Sequence, residues 1–302
     1  MTITWRVSNL IYRHCLNKSM STMSNPLAAV CQMTSIGDKE KNYQVVKSLV
    51  EEAKNRKACI SFFPEACDYL ADNKADIVAK SEPLNGPTVS KYKSLAIDND
   101  MWLSLGGLHE KNSTTPEKVF NTHILINNKG EIVSEYRKIH LFDMDNKDTG
   151  VRLMESDYVT PGREITAPAS SPIGKIGLSI CYDMRFAELS LTLKKNGAEV
   201  LTFPSAFTYQ TGAAHWETLL KARAIETQCY VVAAAQTGTH NKKRVSWGHA
   251  MIVDPWGAIV AQCGEKIGIA VAEIDINYLN KIRTNMPCDN HRRNDLYPMM
   301  KT

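Results

Sequence analysis

The stretch Lys175-Ile176-Gly177-Leu178-Ser179-Ile180-Cys181-Tyr182-Asp183-Met184-Arg185-Phe186 opens as an apolar run and closes as a polar turn. Lys175–Ile180 reads as a buried strand, because a short apolar run fits a sheet covered on both faces. Phe186–Lys195 reads as the helix that follows, closed by Asn196-Gly197. Cys181 therefore stands at a strand-to-helix junction. Such a turn exposes the side chain and brings unpaired backbone N–H groups near it. Those groups lower a thiol pKa and can hold a developing oxyanion. The competing reading, a buried structural cysteine, is the commoner fate of a cysteine taken at random.

The same alternation extends outward in both directions. Toward the N-terminus, Leu27–Met33, Ala58–Phe63 and Trp102–Leu105 read as strands. Lys39–Arg56 has helical spacing through Tyr43, Val46, Leu49 and Val50, and Gly86-Pro87-Thr88 opens a helix to about Ile97. Val119–Ile126 and Glu131–Tyr136 flank a hairpin turn. Toward the C-terminus, Val200–Phe203, Tyr230–Ala235, Gly248–Val253 and Ile269–Ile274 read as strands, and Ala213–Gln228 as a helix with Trp216, Leu219, Leu220 and Ala224 on one face. Strands, helices and hairpins in this order predict layered α/β structure with mixed sheets covered by helices.

Two more strand ends carry reactive groups. Glu65 follows Ser61-Phe62-Phe63-Pro64 and reads either as a base whose pKa burial raises or as a helix cap. Lys138 follows Tyr136-Arg137 and, alone, reads as an exposed edge charge. Three such groups at three strand ends carry more weight than each singly, because α/β sites gather there.

The chain has 302 residues, 43% hydrophobic and 23% charged, the composition of a globular protein. No apolar run reaches the ~18 residues of a membrane span, so no membrane association is expected. Arg6, Arg13 and Lys18 precede the first acidic residue, Asp38; removing these three charges from the formal +4 leaves +1. A near-neutral body gives no basic face for nucleic acid. None of the eight cysteines forms a C-x-x-C pair, so neither a zinc site nor another metal is expected, and the thiols read as reduced. Residues 1–25 are basic and acid-free, the composition of a transit peptide or an unstructured leader. Met20 and Met23 are alternative starts, and the pair of forms predicts a cytoplasmic and mitochondrial distribution. Residues 26–295 are expected to form a single catalytic domain, with 296–302 as a tail.

The segments Phe62-Phe63-Pro64-Glu65, Tyr136-Arg137-Lys138-Ile139-His140-Leu141-Phe142-Asp143 and Ser179-Ile180-Cys181-Tyr182-Asp183-Met184-Arg185-Phe186 resemble the three signature motifs of the nitrilase superfamily, in the family's order. The resemblance runs from about Leu27 to Asp275. It implies an α-β-β-α sandwich of two mixed sheets with outer helix layers, and homo-oligomers, a homodimer or higher even assembly, that pair across a helical face. It implies hydrolysis of the C–N bond of a small amide, with no cofactor. Residue by residue, it makes Glu65 the general base, Lys138 the cationic stabiliser and Cys181 the nucleophile. Glu155 matches the family's second active-site glutamate better than Asp157 does. Lys138 and the backbone N–H of Tyr182 would hold the oxyanion. Arg185 and Thr211 are the candidates for a substrate carboxylate, against the alternative that Arg185 pairs internally with Asp183 or Glu188. Segments such as Ala234-Ala235-Gln236-Thr237-Gly238 and Lys243-Arg244-Val245-Ser246-Trp247-Gly248-His249 resemble Nit-branch members acting on deaminated glutathione more than omega-amidases acting on 2-oxoglutaramate-type amides. An inactive interaction protein on the same scaffold is the reading from another class; the intact set of four residues weighs against it.

Overall fold

The computed structural model describes residues 24–147, 150–293, 295 and 296. The expected leader and tail therefore fall largely outside the described residues.

Strand β1 (Leu27–Met33) shows how the layers arise. Successive side chains of a strand face opposite sides. Ala28 and Val30 enter one core, while Ala29, Cys31 and Met33 enter another. Helix α1 (Lys39–Asn55) begins at Asp38, whose carboxylate accepts the Lys41 N–H, and buries Val46, Leu49, Val50 and Ala53 as one stripe. Strand β2 (Ala58–Phe63) follows, then α2 (Lys74–Lys80), α3 (Pro87–Asn99), β3 (Trp102–Lys111), β4 (Val119–Ile126) and β5 (Ile132–Arg137). A polar hairpin, β6 (Asp143–Asn146) and β7 (Val151–Met154), stands apart from the large sheets. The second half comprises β8 (Ala169–Ser171), β9 (Gly174–Gly177), α4 (Ala187–Lys195), β10 (Val200–Thr202), α5 (Tyr209–Thr227), β11 (Tyr230–Ala233), β12 (Ala235–Thr239), β13 (Val245–Trp247), β14 (Met251–Val253), β15 (Ile259–Gln262), β16 (Gly268–Glu273) and α6 (Ile276–Asn285).

Two large mixed sheets result. The first runs β13-β12-β1-β2-β3-β4-β5, with β16 pairing antiparallel to β1. The second runs β15-β14-β11-β10-β9-β8. Ala28, Val30, Ile60 and Phe62 of the first sheet join the second sheet and helices α4 and α5 in one core. Ala29, Cys31, Met33, Leu103 and Leu105 pack against α1 and α3 in the other. The order of layers is helix, sheet, sheet, helix, as expected. Strands β1, β2 and β3 are parallel, and β5 returns to their direction after the antiparallel β4. Residues just after β2 and β5 therefore emerge at one edge of the sheet.

The differences from the sequence reading have physical causes. Tyr230–Ala235 is not one strand: β11 pairs with β10 in the second sheet, and after Ala234 the chain enters the first sheet as β12 beside β1. An apolar run buried on every side carries no mark of which sheet it joins. Regular pairing of β9 stops at Gly177, although Leu178, Ser179 and Ile180 stay buried. Helix α5 begins at Tyr209 rather than Ala213, and Gly212 within it lies so close to Trp247 that an added Cβ would stand 2.2 Å from that residue's Cβ. Segments α2, β6, β7, β8, β13 and β15 are short or polar and gave no periodic signal, whereas α6 carries Ile276, Leu279 and Ile282 at helical spacing and escaped the sequence reading. All seven described cysteines are free thiols. Among the described residues, no helix is long and apolar enough to cross a membrane.

Candidate active site

Cys181 starts a 3-10 turn, Cys181–Arg185, directly after the buried Ile180. Its φ of 47° lies in the left-handed region that side chains with a Cβ rarely occupy. The turn is held from several sides. The Cys181 N–H donates to the Pro204 carbonyl at 2.9 Å. The buried Asp183 carboxylate accepts the Ile180 N–H at 2.8 Å, the Tyr136 hydroxyl at 2.8 Å and the His140 N–H at 3.2 Å, and meets His140 Nδ1 at 2.8 Å. Since Tyr136 and His140 flank Lys138, one carboxylate ties the lysine segment to the cysteine turn.

Glu65, Lys138 and Glu155 converge beside the thiol. Lys138 is 2% exposed, and its Nζ lies 3.0 Å from Glu65 Oε1 and 2.8 Å from Glu155 Oε2. Glu155 Oε2 also accepts the Phe142 N–H at 2.7 Å, and Glu65 Oε2 the Ala206 N–H at 3.1 Å. Burial alone would push the Glu65 carboxyl up. The charge and hydrogen bond of Lys138, with a hydrogen bond from the Cys181 thiol, outweigh it and hold Glu65 down to about 2. Glu65 is therefore ionised, its pKa lowered rather than raised as its sequence position suggested, and it caps no helix. Burial would likewise discharge Lys138, but Glu155 and Glu65 push its pKa well up. Burial, followed by the Glu65 charge, raises the Cys181 thiol far above its usual range. The resting arrangement is thus carboxylate, ammonium and neutral thiol.

Asn121 belongs to this cluster and escaped the sequence reading. Its Nδ2 donates to Glu65 Oε1 at 2.9 Å and to Glu155 Oε1 at 3.1 Å. Both neighbours are acceptors, which fixes the orientation of the amide. Gly107 makes room for it: φ is +70°, and a Cβ there would lie 2.7 Å from Asn121 Oδ1 and 2.8 Å from Glu65 Cγ. The only signal available was a polar residue inside a strand, which on a half-buried sheet is ordinary.

Two cavities meet at Cys181. The larger, of about 540 Å³, is lined by Glu65, Lys138, Glu155 and Asn121 at its inner end. The smaller, of about 40 Å³, is lined by Tyr182, Arg185, Phe207 and Thr211. Phe142, Cys181, Ala206 and Thr208 border both. Arg185 meets His215 Nδ1 at 3.3 Å and lies near the faces of Tyr182 and Phe207. Asp183 is taken up by Tyr136 and His140 instead of Arg185, and no ion pair joins Arg185 to Glu188 among the described residues. Thr211 Oγ1 lies 2.7 Å from Thr208 Oγ1 in the first turn of α5. Asp157, the competitor of Glu155, lies apart and pairs with Lys74 and, at 3.5 Å, with Arg152. Among the described residues, no group of three or more His, Cys, Asp and Glu side chains is arranged to hold a metal ion.

Comparison with known proteins shows the family. Residues 27–284 match the carbon-nitrogen hydrolase family. The chain is 51% identical over 281 residues to a human deaminated glutathione amidase, covering 92% of this chain and 86% of that protein. It is 53% identical over 272 residues to the nitrilase and fragile histidine triad fusion protein of Drosophila melanogaster, covering 90% of this chain but only 58% of the fusion. The crystal structure of the C. elegans NitFhit protein superimposes with a TM-score of 0.86 at 50% identity, over 91% of this chain and 66% of that one. That of Saccharomyces cerevisiae Nit3, a member of branch 10 of the nitrilase superfamily, gives 0.79 at 29% identity, over 89% of this chain and 97% of that one. The chain belongs to the carbon-nitrogen hydrolase family.

Proposed function

From that membership we propose that the protein is an amidase that cleaves a small carboxylated amide through a thioester on Cys181, and that its substrate is deaminated glutathione, the compound for which its human relative is named. The observation that carries the reading is the convergence of the buried Glu65, Lys138 and Glu155 at the cavity that Cys181 also lines, with Lys138 Nζ 3.0 Å from Glu65 Oε1 and 2.8 Å from Glu155 Oε2.

In this mechanism Cys181 attacks the amide carbonyl as its proton passes to Glu65. A preformed thiolate is not required, because transfer and attack occur together. The negative charge that develops on the carbonyl oxygen is held by Lys138 and the Tyr182 N–H, which lies where a 3-10 turn leaves its first donors without intrahelical acceptors. Lys138 Nζ meets both Glu155 oxygens, at 3.0 and 2.8 Å, and the two can share one N–H, which frees another for the oxyanion. Glu65 returns the proton to the nitrogen as the C–N bond breaks and the amine leaves. A water then attacks the thioester while Glu65 takes its proton and passes it to the departing sulfur. Glu155 and Asn121 keep Lys138 charged and in place. Arg185, with Thr211 below it, receives the carboxylate of the acyl half, since a guanidinium fork matches that geometry.

Steady-state assays on deaminated glutathione and on 2-oxoglutaramate test the substrate. The proposal expects a higher kcat/KM on the first; a clear preference for 2-oxoglutaramate would make the protein an omega-amidase instead. The same reading includes a homodimer or higher even homo-oligomer and a leader in residues 1–25 that divides the protein between cytoplasm and mitochondrion. A reporter fused to residues 1–25 that stayed wholly cytoplasmic would overturn the latter.

A further inference from the structure

A scissile amide at Cys181 whose acyl carboxylate reaches Arg185, as proposed above, points its two halves in opposite directions from the junction of the cavities. With the acyl half beside Arg185, the amine half faces the larger cavity. Besides Lys138 at its inner end, four cations line that cavity: Lys74, Arg152, Lys243 and Arg244. Lys74 and Arg152 share Asp157, and Asp72 is the other acid near this mouth. Lys243 and Arg244 enter no ion pair among the described residues, although both line the cavity.

Their position is built rather than incidental. The turn between β12 and β13 is closed by Asn241, whose Oδ1 accepts the N–H of Lys243 at 2.9 Å and of Arg244 at 3.0 Å. The His240 N–H donates to the Arg244 carbonyl at 3.0 Å, and the buried His240 side chain meets the Ser35 carbonyl and the Ser246 hydroxyl, each at 2.8 Å. Ser246 bridges to Thr208, a residue that borders both cavities. The hairpin is thereby fixed to the frame of the active site. The charge of Arg244 reaches inward far enough to help hold Glu65 ionised.

We propose that Arg244, assisted by Lys243, forms a second anion subsite that binds a carboxylate on the amine half of the substrate. This deepens the functional reading above and rests on it for the direction of the substrate. It makes the favoured substrate an amide with an anionic group at each end: one carboxylate on the acyl half at Arg185, another on the leaving amine at Arg244. A primary amide, which releases only ammonia, leaves this subsite empty. The amine half of deaminated glutathione is cysteinylglycine, whose terminal carboxylate suits the subsite in sign.

The test compares two amides of the distal carboxyl of 2-oxoglutarate: one with cysteinylglycine, the other with the same dipeptide ending in a carboxamide. Binding is measured by calorimetry to Cys181→Ala protein, which removes turnover from the readout. The acid should bind about tenfold or more tightly than the carboxamide, the scale of a charge-assisted contact. In the Cys181→Ala, Arg244→Ala double variant that preference should fall to about unity, with Lys243→Ala causing a smaller drop. Absence of a preference, or one that survives Arg244→Ala, overturns the subsite. Hydrolysis by protein with Cys181 intact is scored separately. An Arg244-dependent preference without hydrolysis would keep the subsite and sink the substrate assignment.

Discussion

The inner end of the larger cavity and its mouth use charge in opposite ways. Inside, Lys138 lies between Glu65 and Glu155, whose carboxylate oxygens approach its Nζ at 2.8–3.0 Å. At the mouth, Lys243 and Arg244 are exposed and enter no ion pair among the described residues. A buried charge that loses its partner costs several kcal/mol, so the inner set stands or falls together. An exposed charge costs the fold little and is free to meet a ligand. In the proposed mechanism the difference separates rate from recognition: the enclosed groups would govern the chemical step, and the open ones would govern which amide arrives.

The largest break in this contrast is Lys138→Met. It removes an oxyanion donor and leaves two buried carboxylates facing each other. kcat should fall about 10²–10³-fold, and thermal stability should drop as well, by about 3–5 kcal/mol. A rise in KM alone would move Lys138 from chemistry to binding. Asn121→Ala should act in the same direction but less, since each carboxylate keeps Lys138. A fall in kcat of about tenfold with little change in KM is expected, the scale of one hydrogen bond to a charged group. Unchanged kcat would make the Asn121 bridge a packing feature.

Arg185→Lys sharpens the other side. It keeps the charge and removes the planar fork, so KM for an amide with a carboxylated acyl half should rise by about tenfold while kcat stays near its starting value. Equal losses on an uncharged amide would give Arg185 a structural role.

The pH profile is the smallest expected effect, and it is a flat one. Glu65 is depressed to about 2, below its usual carboxylate value. The stability it contributes is therefore complete above the unfolded carboxyl range and is lost as pH falls toward 2. Lys138 is raised, so its contribution is complete below the usual lysine value and is lost only as pH rises through the higher folded one. Neither group changes charge near neutrality. From pH 5 to 8, kcat/KM should show no limb from either, and an acid limb centred within that range would mean that Glu65 is not held by Lys138.

The contrast also explains what the sequence revealed. Glu65 and Cys181 follow apolar strand runs, and a run that ends on a reactive group marks its own position; Lys138 ends the mixed strand Ile132–Arg137 and alone reads as an edge charge. Glu155 follows a short polar hairpin with no period to read, and only the family resemblance picked it out. Asn121 sits among Phe120, Thr122 and His123 in a strand whose inward side becomes visible only when Gly107 and β5 are in place. Arg244 ends the run Lys242-Lys243-Arg244, which reads as a solvated turn until its hairpin is folded against Thr208. At the level of the fold, the strand pattern predicted mixed sheets covered by helices and the family resemblance two of them, but neither showed that the single run around Ala234 passes from one sheet to the other.

The central claim is the covalent bond to Cys181 at the junction of the two cavities. Intact-mass spectrometry after rapid acid quench during turnover of deaminated glutathione measures it directly. The account predicts a protein mass increased by the acyl group of 2-oxoglutarate, mapped by digestion to the peptide containing Cys181 and absent from Cys181→Ala protein. A substrate turned over with no such adduct at any quench time, or an adduct on another cysteine such as Cys67, would contradict it.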